Sequence, residues 1–351
     1  MFDAIDLFAG PGGWDVAAED LGMVTLGFEA DPSACATRRA SGLSTVSGDL
    51  RGYSGPYGGI PGRIASPPCQ TFSAAGNDSG RRALDVVLGL VRRIGRREVV
   101  SIDGFEDERT GLVLEPLWWT LNAIDNGYHP EWLAFEQVPA VLPVWEWMAH
   151  VLRQEGYSVA TGRLSAEEFG VPQTRVRAFL MAKLHGHAQL PKPTHRKYRK
   201  GVAQHEGDQS LLPWVSMAEA LGWGEPRVVV NNYGTGGDPA NRGQRRSDEP
   251  TATITGKADR NRVYRTSTMP KATRRSAGEP APTLAFGNDA ASAGFETATG
   301  FERITPEEAA ALQTFPPDHQ WRGTKTQVFQ QNGNAVPPLL ARAVLAEVTK
   351  P

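Results

Sequence analysis

The chain has 351 residues, 40% of them hydrophobic and 22% charged, a balance that suits a soluble globular protein with room for one large and one smaller domain. No apolar run approaches the ~20 residues that cross a bilayer. The start, Phe2–Asp3–Ala4–Ile5–Asp6–Leu7–Phe8, has no basic leader, so no membrane partner and a cytoplasmic, prokaryotic or phage-encoded setting are expected. Two cysteines, Cys35 and Cys69, make neither a disulfide framework nor a zinc set, and no metal is expected. The net charge of −2 argues by itself against a nucleic-acid partner, but its distribution does not. Residues 185–300 carry 16 Lys and Arg against 11 Asp and Glu, while the rest carries 21 against 28.

Residues 1–184 read as alternating strands and helices. Ala4–Ala9 is an apolar run ending in Gly10–Pro11–Gly12–Gly13, and Trp14–Leu21 is the helix after it. Val24–Glu29 and Thr45–Ser47 are strands around a helix at Ser33–Ala40, where Cys35 reads as packing. Arg63–Ser66 is the strand that delivers Cys69. Helical spacing follows at Ala83–Gly95 and Leu112–Asn126, then a strand at Trp132–Glu136 and a helix at Trp145–Glu155. Tyr157–Leu164 and Ala178–Lys183 form a late strand pair. This alternation predicts an α/β fold with a doubly wound, mostly parallel sheet.

Near His185 the periodicity fades. Pro191–Gly201 is basic and Asn231–Arg246 is rich in Gly, Asn and Arg, so a second, irregular, β-containing domain is expected over 185–300. It contains an internal echo, Asp248–Ile254 and Gly278–Leu284, which reads as two turn-then-strand elements. From Phe301 regular structure returns, with helices at Pro306–Leu312 and Pro338–Val348, and residues 301–351 are expected to complete the domain of 1–184. Trp118, Trp119, Trp145 and Trp147 read as core or domain-interface residues. Arg242, Arg245, Arg246, Arg260, Arg262, Arg274 and Arg275 are candidate readers of guanine edges.

Three consecutive strand ends carry polar chemistry. The glycines of the first turn let a backbone approach a ligand at a helix N-terminus. The spacing is neither the dinucleotide Gly-x-Gly-x-x-Gly nor a Walker loop. Glu29 closes the second strand about 20 residues on, the distance at which a carboxylate reaches ribose hydroxyls. Asp49 ends the third strand and can accept from an adenine amino group. Together they offer a nucleoside site, although each alone is an ordinary loop residue. Cys69, behind Pro67 and Pro68, is presented in a set direction, and by itself it reads equally as nucleophile or as packing.

In order along the chain, Asp6–Gly13, Glu29, Asp49, Ser66–Pro67–Pro68–Cys69–Gln70 and Phe135–Glu136–Gln137–Val138 are followed by Gln173–Thr174–Arg175–Val176–Arg177, Arg303–Glu308 with Leu312–Pro316, and Gln331–Pro337. This series resembles the DNA cytosine-5 methyltransferases, whose variable target-recognition domain corresponds to 185–300. The resemblance implies S-adenosyl-L-methionine as cofactor, with S-adenosyl-L-homocysteine as product, held by Phe8, Gly10, Gly12, Glu29, Asp49, Leu50, Pro68, Leu112, Asn334 and Val336. It implies Cys69 as the nucleophile toward carbon 6 of a flipped cytosine, Glu136 as the acid at ring nitrogen 3, and Arg175 and Arg177 as arginines that steady the site. It implies double-stranded DNA as partner, a companion restriction endonuclease as a possible second, and a monomer. The loop Phe72–Arg82 is a candidate lid.

The residue types suit that chemistry. Carbon 5 of cytosine is a poor nucleophile until a thiolate adds at carbon 6, a carboxyl of raised pKa stabilises the adduct, and a nearby cation favours the thiolate. Two positions depart from the family pattern: Gln137 replaces an Asn, and Ser66 replaces a Gly. Ser-Pro-Pro before an aromatic marks the amino-methyltransferases instead, but position 69 is Cys. An RNA cytosine methyltransferase and a non-catalytic relative are the other readings. The zinc deaminase signature fails at Phe72.

Overall fold

The computed structural model describes residues 1–53, 58–68, 70–72, 82–102, 104–224, 227–230, 244–254, 262–265 and 301–350; at 227–230, 244, 262–265 and 301–303 only the backbone is described. Cys69, the segment 73–81, the second copy of the internal echo, and Arg242, Arg260, Arg274 and Arg275 lie outside the described residues.

Strands β1 (Ala4–Leu7), β2 (Thr25–Glu29), β3 (Thr45–Ser47), β4 (Gly62–Ala65) and β5 (Trp132–Gln137) are joined by β6 (Ser158–Ser165) and β8 (Val176–Lys183) in a seven-stranded sheet of order β3-β2-β1-β4-β5-β8-β6. The first five strands in that order run parallel, and β8 runs antiparallel to both of its neighbours. β1, β4 and β5 are buried along their whole length, as sheet strands covered on both faces must be.

One face of the sheet presents Ile5, Leu7, Ala65, Leu133 and Phe135 to helices α3 (Leu84–Gly95), α4 (Glu115–Asp125) and α5 (Leu142–Gln154). The other presents Ala4, Ile64 and Ala134 to α1 (Gly13–Glu19) and the C-terminal α9 (Pro338–Val348). The C-terminal helix therefore packs on the second face beside α1. The start of α1 and the segment leading into α9 approach so closely that a Cβ on Gly13 would lie 2.1 Å from the Val336 carbonyl oxygen. Strand order reverses between β1 and β4, and in such sheets ligands bind at that crevice, beyond the carboxyl ends of the strands.

Helix α2 (Pro32–Ala40) begins where Asp31 accepts from the amides of Ser33 and Ala34, with Pro32 at its first position. Helix α7 (Pro306–Leu312) starts at a capping box between Thr305 and Glu308. Helix α8 (Lys325–Asn334), which the periodicity does not announce, has a second such box between Thr324 and Gln327. Its last turn, Gln331–Asn332–Gly333–Asn334, has poor helix propensity. Burial of Phe329, Gln331, Asn332 and Gly333 holds it in place.

Beyond β8 the chain keeps touching the large sheet's domain. The Ala188 amide donates to Ser158 Oγ at 3.0 Å, and the Thr194 and His195 amides donate to the Glu168 carbonyl. Helix α6 (Met217–Leu221) and Ile254 share one buried cluster with Ile304, Ala309, Leu312 and Phe329. A four-stranded antiparallel sheet of order β10-β9-β12-β13 is formed by β9 (Arg227–Val230), β10 (Gln244–Arg246), β12 (Arg262–Arg265) and β13 (Phe301–Arg303). The first copy of the echo is a turn followed by β11 (Thr251–Ala252), which pairs in parallel with β7 (Gln173–Thr174).

Candidate active site

The turn after β1 is built from backbone that few residues adopt. Phe8 has φ 61°, a left-handed conformation costly for a side chain of its kind, and Gly10 (φ 56°) and Gly12 (φ 106°) follow it. The turn is fixed from the end of β2. Glu29 Oε2 accepts from the Gly10 amide at 2.7 Å, and Glu29 Oε1 accepts from the Ala30 and Asp31 amides at 2.8 and 2.7 Å. Oε2, with a single donor, keeps capacity for another.

Beneath the turn lies a charge pair that no local sequence signal announces. Asp15 in α1 and Arg38 in α2, both fully buried, pair at 2.6 and 2.8 Å, and Thr25 Oγ1 donates to Asp15 at 2.5 Å. Arg38 also donates to the carbonyls of Ala9 and Ser44. Burial acts to raise the Asp15 carboxyl, but Arg38 and the hydrogen bonds outweigh it and hold the group below its ordinary value. Asp6, completely buried nearby, is pushed well above the carboxylate range, by burial first and by Asp15 second.

The turn opens onto a cavity of about 290 Å³. Phe8, Gly10, Glu29, Asp49, Leu50, Leu112, Pro68 and Asn334 from the predicted cofactor set all line it. Asp49 caps the short turn Leu50–Gly52, accepting from the Arg51 amide at 2.9 Å and pairing with its guanidinium at 2.5 Å. Two predicted members stand behind the wall. A Cβ on Gly12 would meet Leu43 Cδ1 at 2.3 Å, and Val336, buried, is packed over Gly13. They shape the turn without facing the cavity.

The same cavity is lined by Glu136, Gln137, Arg175 and Arg177. Glu136 is the fifth residue of β5 and is buried. Arg177 Nε lies 3.0 Å from its Oε1, brought there because β8 runs antiparallel beside β5. Burial raises the Glu136 carboxyl above its ordinary value; Arg177, Arg175 and a hydrogen bond with Ser66 oppose that without overcoming it. Arg175, fully buried, donates to the carbonyls of Ile254 and Gly333 at 3.3 and 3.0 Å, tying β7–β8 to α8. Pro68 and Gln70, which flank position 69, line the cavity as well.

Other sequence expectations meet mixed outcomes. Cys35 is buried, its Sγ 3.2 Å from the Glu29 carbonyl. Trp119 and Trp145 are core residues, whereas Trp118 is 55% exposed because it projects from the outer side of α4. Arg245 stacks over the Tyr198 ring at 4.7 Å, and Arg246 pairs with Asp248 at 2.9 Å, so both engage the protein itself.

The sequence profile of the C-5 cytosine-specific DNA methylases matches residues 2–350. The chain belongs to that family. The enzyme is 28% identical over 374 residues to the Type II methyltransferase M1.HphI of Haemophilus parahaemolyticus, covering 99% of this chain and 86% of the relative. It is 28% identical over 375 residues to M.AplI of Arthrospira platensis, covering 98% and 84%. Among solved structures, the crystal structure of S. pombe Dnmt2 methyltransferase superposes with a TM-score of 0.58 at 16% identity, over 99% of this methyltransferase and 98% of the other chain. At that identity the likeness concerns the fold alone, and it agrees with the mostly parallel seven-stranded sheet. The enzyme is thus a DNA cytosine-5 methyltransferase. Among its described residues no helix is long and apolar enough to cross a membrane.

Proposed function

We propose that the enzyme transfers a methyl group from S-adenosyl-L-methionine to carbon 5 of a flipped cytosine within a specific double-stranded DNA sequence, through a covalent adduct with Cys69. The observation that carries this reading is a single cavity lined at once by Glu29 and Asp49 and by Glu136 with its two arginines. The residues fit S-adenosyl-L-methionine: Glu29 and Asp49 offer acceptors to ribose hydroxyls and an amino group, Phe8, Leu50 and Leu112 offer apolar walls, and Gly10 has no side chain to obstruct approach. When bound, S-adenosyl-L-methionine supplies an electrophilic methyl group and leaves as S-adenosyl-L-homocysteine.

This chain's residues do the rest. The Cys69 thiolate forms a bond to carbon 6, and the electron pair moves toward carbon 5, which then takes the methyl group. Glu136, whose carboxyl burial raises above its ordinary value, gives a hydrogen bond or proton to ring nitrogen 3, where negative charge would otherwise collect. Arg177 keeps that carboxyl in one orientation and offers positive charge to the thiolate. Loss of the carbon-5 proton then expels the cysteine. None of this is reachable in a stacked base, so flipping is required, at a cost of about a few kcal/mol.

In this reading residues 1–184 with 301–351 form the catalytic domain, and 185–300 recognises the target, its excess of basic residues meeting phosphates. The relatives are Type II methyltransferases, which supports a restriction-modification role; a companion endonuclease and a cytoplasmic, monomeric protein belong to the same reading. DNA carrying 5-fluorocytosine at the target should trap the enzyme irreversibly, because fluorine cannot leave as a cation, and Cys69→Ala should abolish both trapping and methyl transfer while retaining cofactor binding. Methyl transfer by Cys69→Ala at the wild-type rate would overturn the covalent route. Bisulfite sequencing of DNA from cells expressing the enzyme would report the target.

A further inference from the structure

Ser66 stands where the family pattern has glycine, and the structure gives its hydroxyl a donor in Trp14 and sets it beside the Glu136 carboxyl. β4 and β5 pair in parallel with Ala65 opposite Phe135, so the next residues, Ser66 and Glu136, emerge side by side at the two strand ends. Both line the cavity. The Ser66 amide extends the ladder by donating to the Leu7 carbonyl at 3.1 Å, which fixes the backbone on the side of β1. From α1, the buried indole of Trp14 donates Nε1–H to Ser66 Oγ at 2.9 Å. The indole is itself held edge-on against Phe179 of β8. An indole N–H can only donate, so it takes an acceptor position on the hydroxyl and leaves the hydroxyl proton for Glu136.

We propose that Ser66 is a positioning residue for Glu136: the Trp14 indole orients the Ser66 hydroxyl, and the hydroxyl donates to the Glu136 carboxyl and holds it toward the cytosine ring. This rests on the reading of Glu136 as the acid at ring nitrogen 3. Glycine at position 66 would leave the buried Trp14 N–H without its acceptor and Glu136 without this donor. The groups facing Glu136 from the elements around it are Arg177 and Arg175 on the β7–β8 side and Ser66 after β4. The arginines supply charge, and Ser66 supplies a neutral, directional bond. A donor to a carboxylate favours its ionised form, so Ser66 limits how far burial raises the group.

The test is the pH profile of single-turnover methyl transfer. If Glu136 acts as an acid, the rate falls on the alkaline side as it ionises. Removing the Ser66 donor in Ser66→Ala raises that pKa and moves the alkaline limb up by about one pH unit, the equivalent of one hydrogen bond to a charged group. Trp14→Phe, which keeps the ring and deletes the N–H, moves the limb in the same direction by less. The double variant moves it no further than Ser66→Ala, because the two groups act in series. S-adenosyl-L-homocysteine affinity stays unchanged in all three, which shows an intact fold. A limb in folded Ser66→Ala that superposes on wild type overturns the proposal, as do fully additive shifts. Glu136→Gln separates the two levels. If it retains wild-type activity, the acid assignment itself fails; if it is inactive while Ser66→Ala matches wild type, only the positioning role fails.

Discussion

Gln137 Nε2 donates to the Pro67 carbonyl at 2.6 Å, while its own Oε1 accepts from the Val138 amide at 2.6 Å. The side chain thus ties the end of β5 to the turn that carries Pro67 and Pro68, across 70 residues of sequence. The extra methylene that distinguishes Gln from the family's Asn is the length this bridge uses. Both departures from the family pattern, Ser66 and Gln137, therefore act on the same place, one on each side of Glu136.

Gln137→Ala should leave the Pro67 carbonyl and the Val138 amide without partners in a buried setting, at a cost of about 1–3 kcal/mol. Denaturant unfolding would show this as a lower midpoint at constant m-value. Gln137→Asn should fall between, since a shorter amide can keep only one of the two bonds.

Glu29→Ala should weaken S-adenosyl-L-methionine binding by about ten- to a hundredfold, the range for one hydrogen bond to a charged group. It removes the acceptor for the Gly10 amide and, in the proposed function, for the ribose. Titration calorimetry measures this directly, and an affinity equal to wild type would take Glu29 out of the site.

Arg38→Met should destabilise the enzyme by about 3–5 kcal/mol, because it strands the Asp15 carboxylate in the core beneath the turn. Adding Asp15→Asn to that variant should recover part of the loss, since the charge that drives it is gone. Thermal unfolding of the single and double variants decides the point. A single variant as stable as wild type would mean that the pair does not support the turn.

His319 makes stability depend on pH in a defined window. Burial lowers its pKa to about 4, against an ordinary value of about 6.5, although its hydrogen bond to Pro11 acts the other way. The unfolded chain therefore takes up a proton between pH 6.5 and 4 that the folded enzyme refuses. Stability from this group is complete above pH 6.5 and declines by about 3 kcal/mol as pH falls to about 4. His319→Gln, which keeps a donor for Pro11 and does not titrate, should flatten that part of the curve. Asp6 and Glu136, whose folded pKa values are raised, slope the opposite way in both proteins and cancel in the comparison.

Local sequence announced the alternation of strands and helices and the helices that follow Thr305 and Pro337. It could do so because those depend on local properties: hydrophobic period, prolines at helix starts, glycines at turns, and polar residues at strand ends. Helices Pro306–Leu312 and Pro338–Val348 were readable to the residue for this reason. Helix α8 was not, since its Gly and Asn content disfavours helix and only the burial of Phe329 and Asn332 overrides it. Tertiary structure alone decided which residues meet. Asp15 finds Arg38, Arg177 finds Glu136, and Trp14 finds Ser66 because strand order and register set those distances, and neither is encoded in any one segment. The same holds for Gly12 and Val336, which the resemblance assigns to the cofactor and which the fold packs against Leu43 and Gly13.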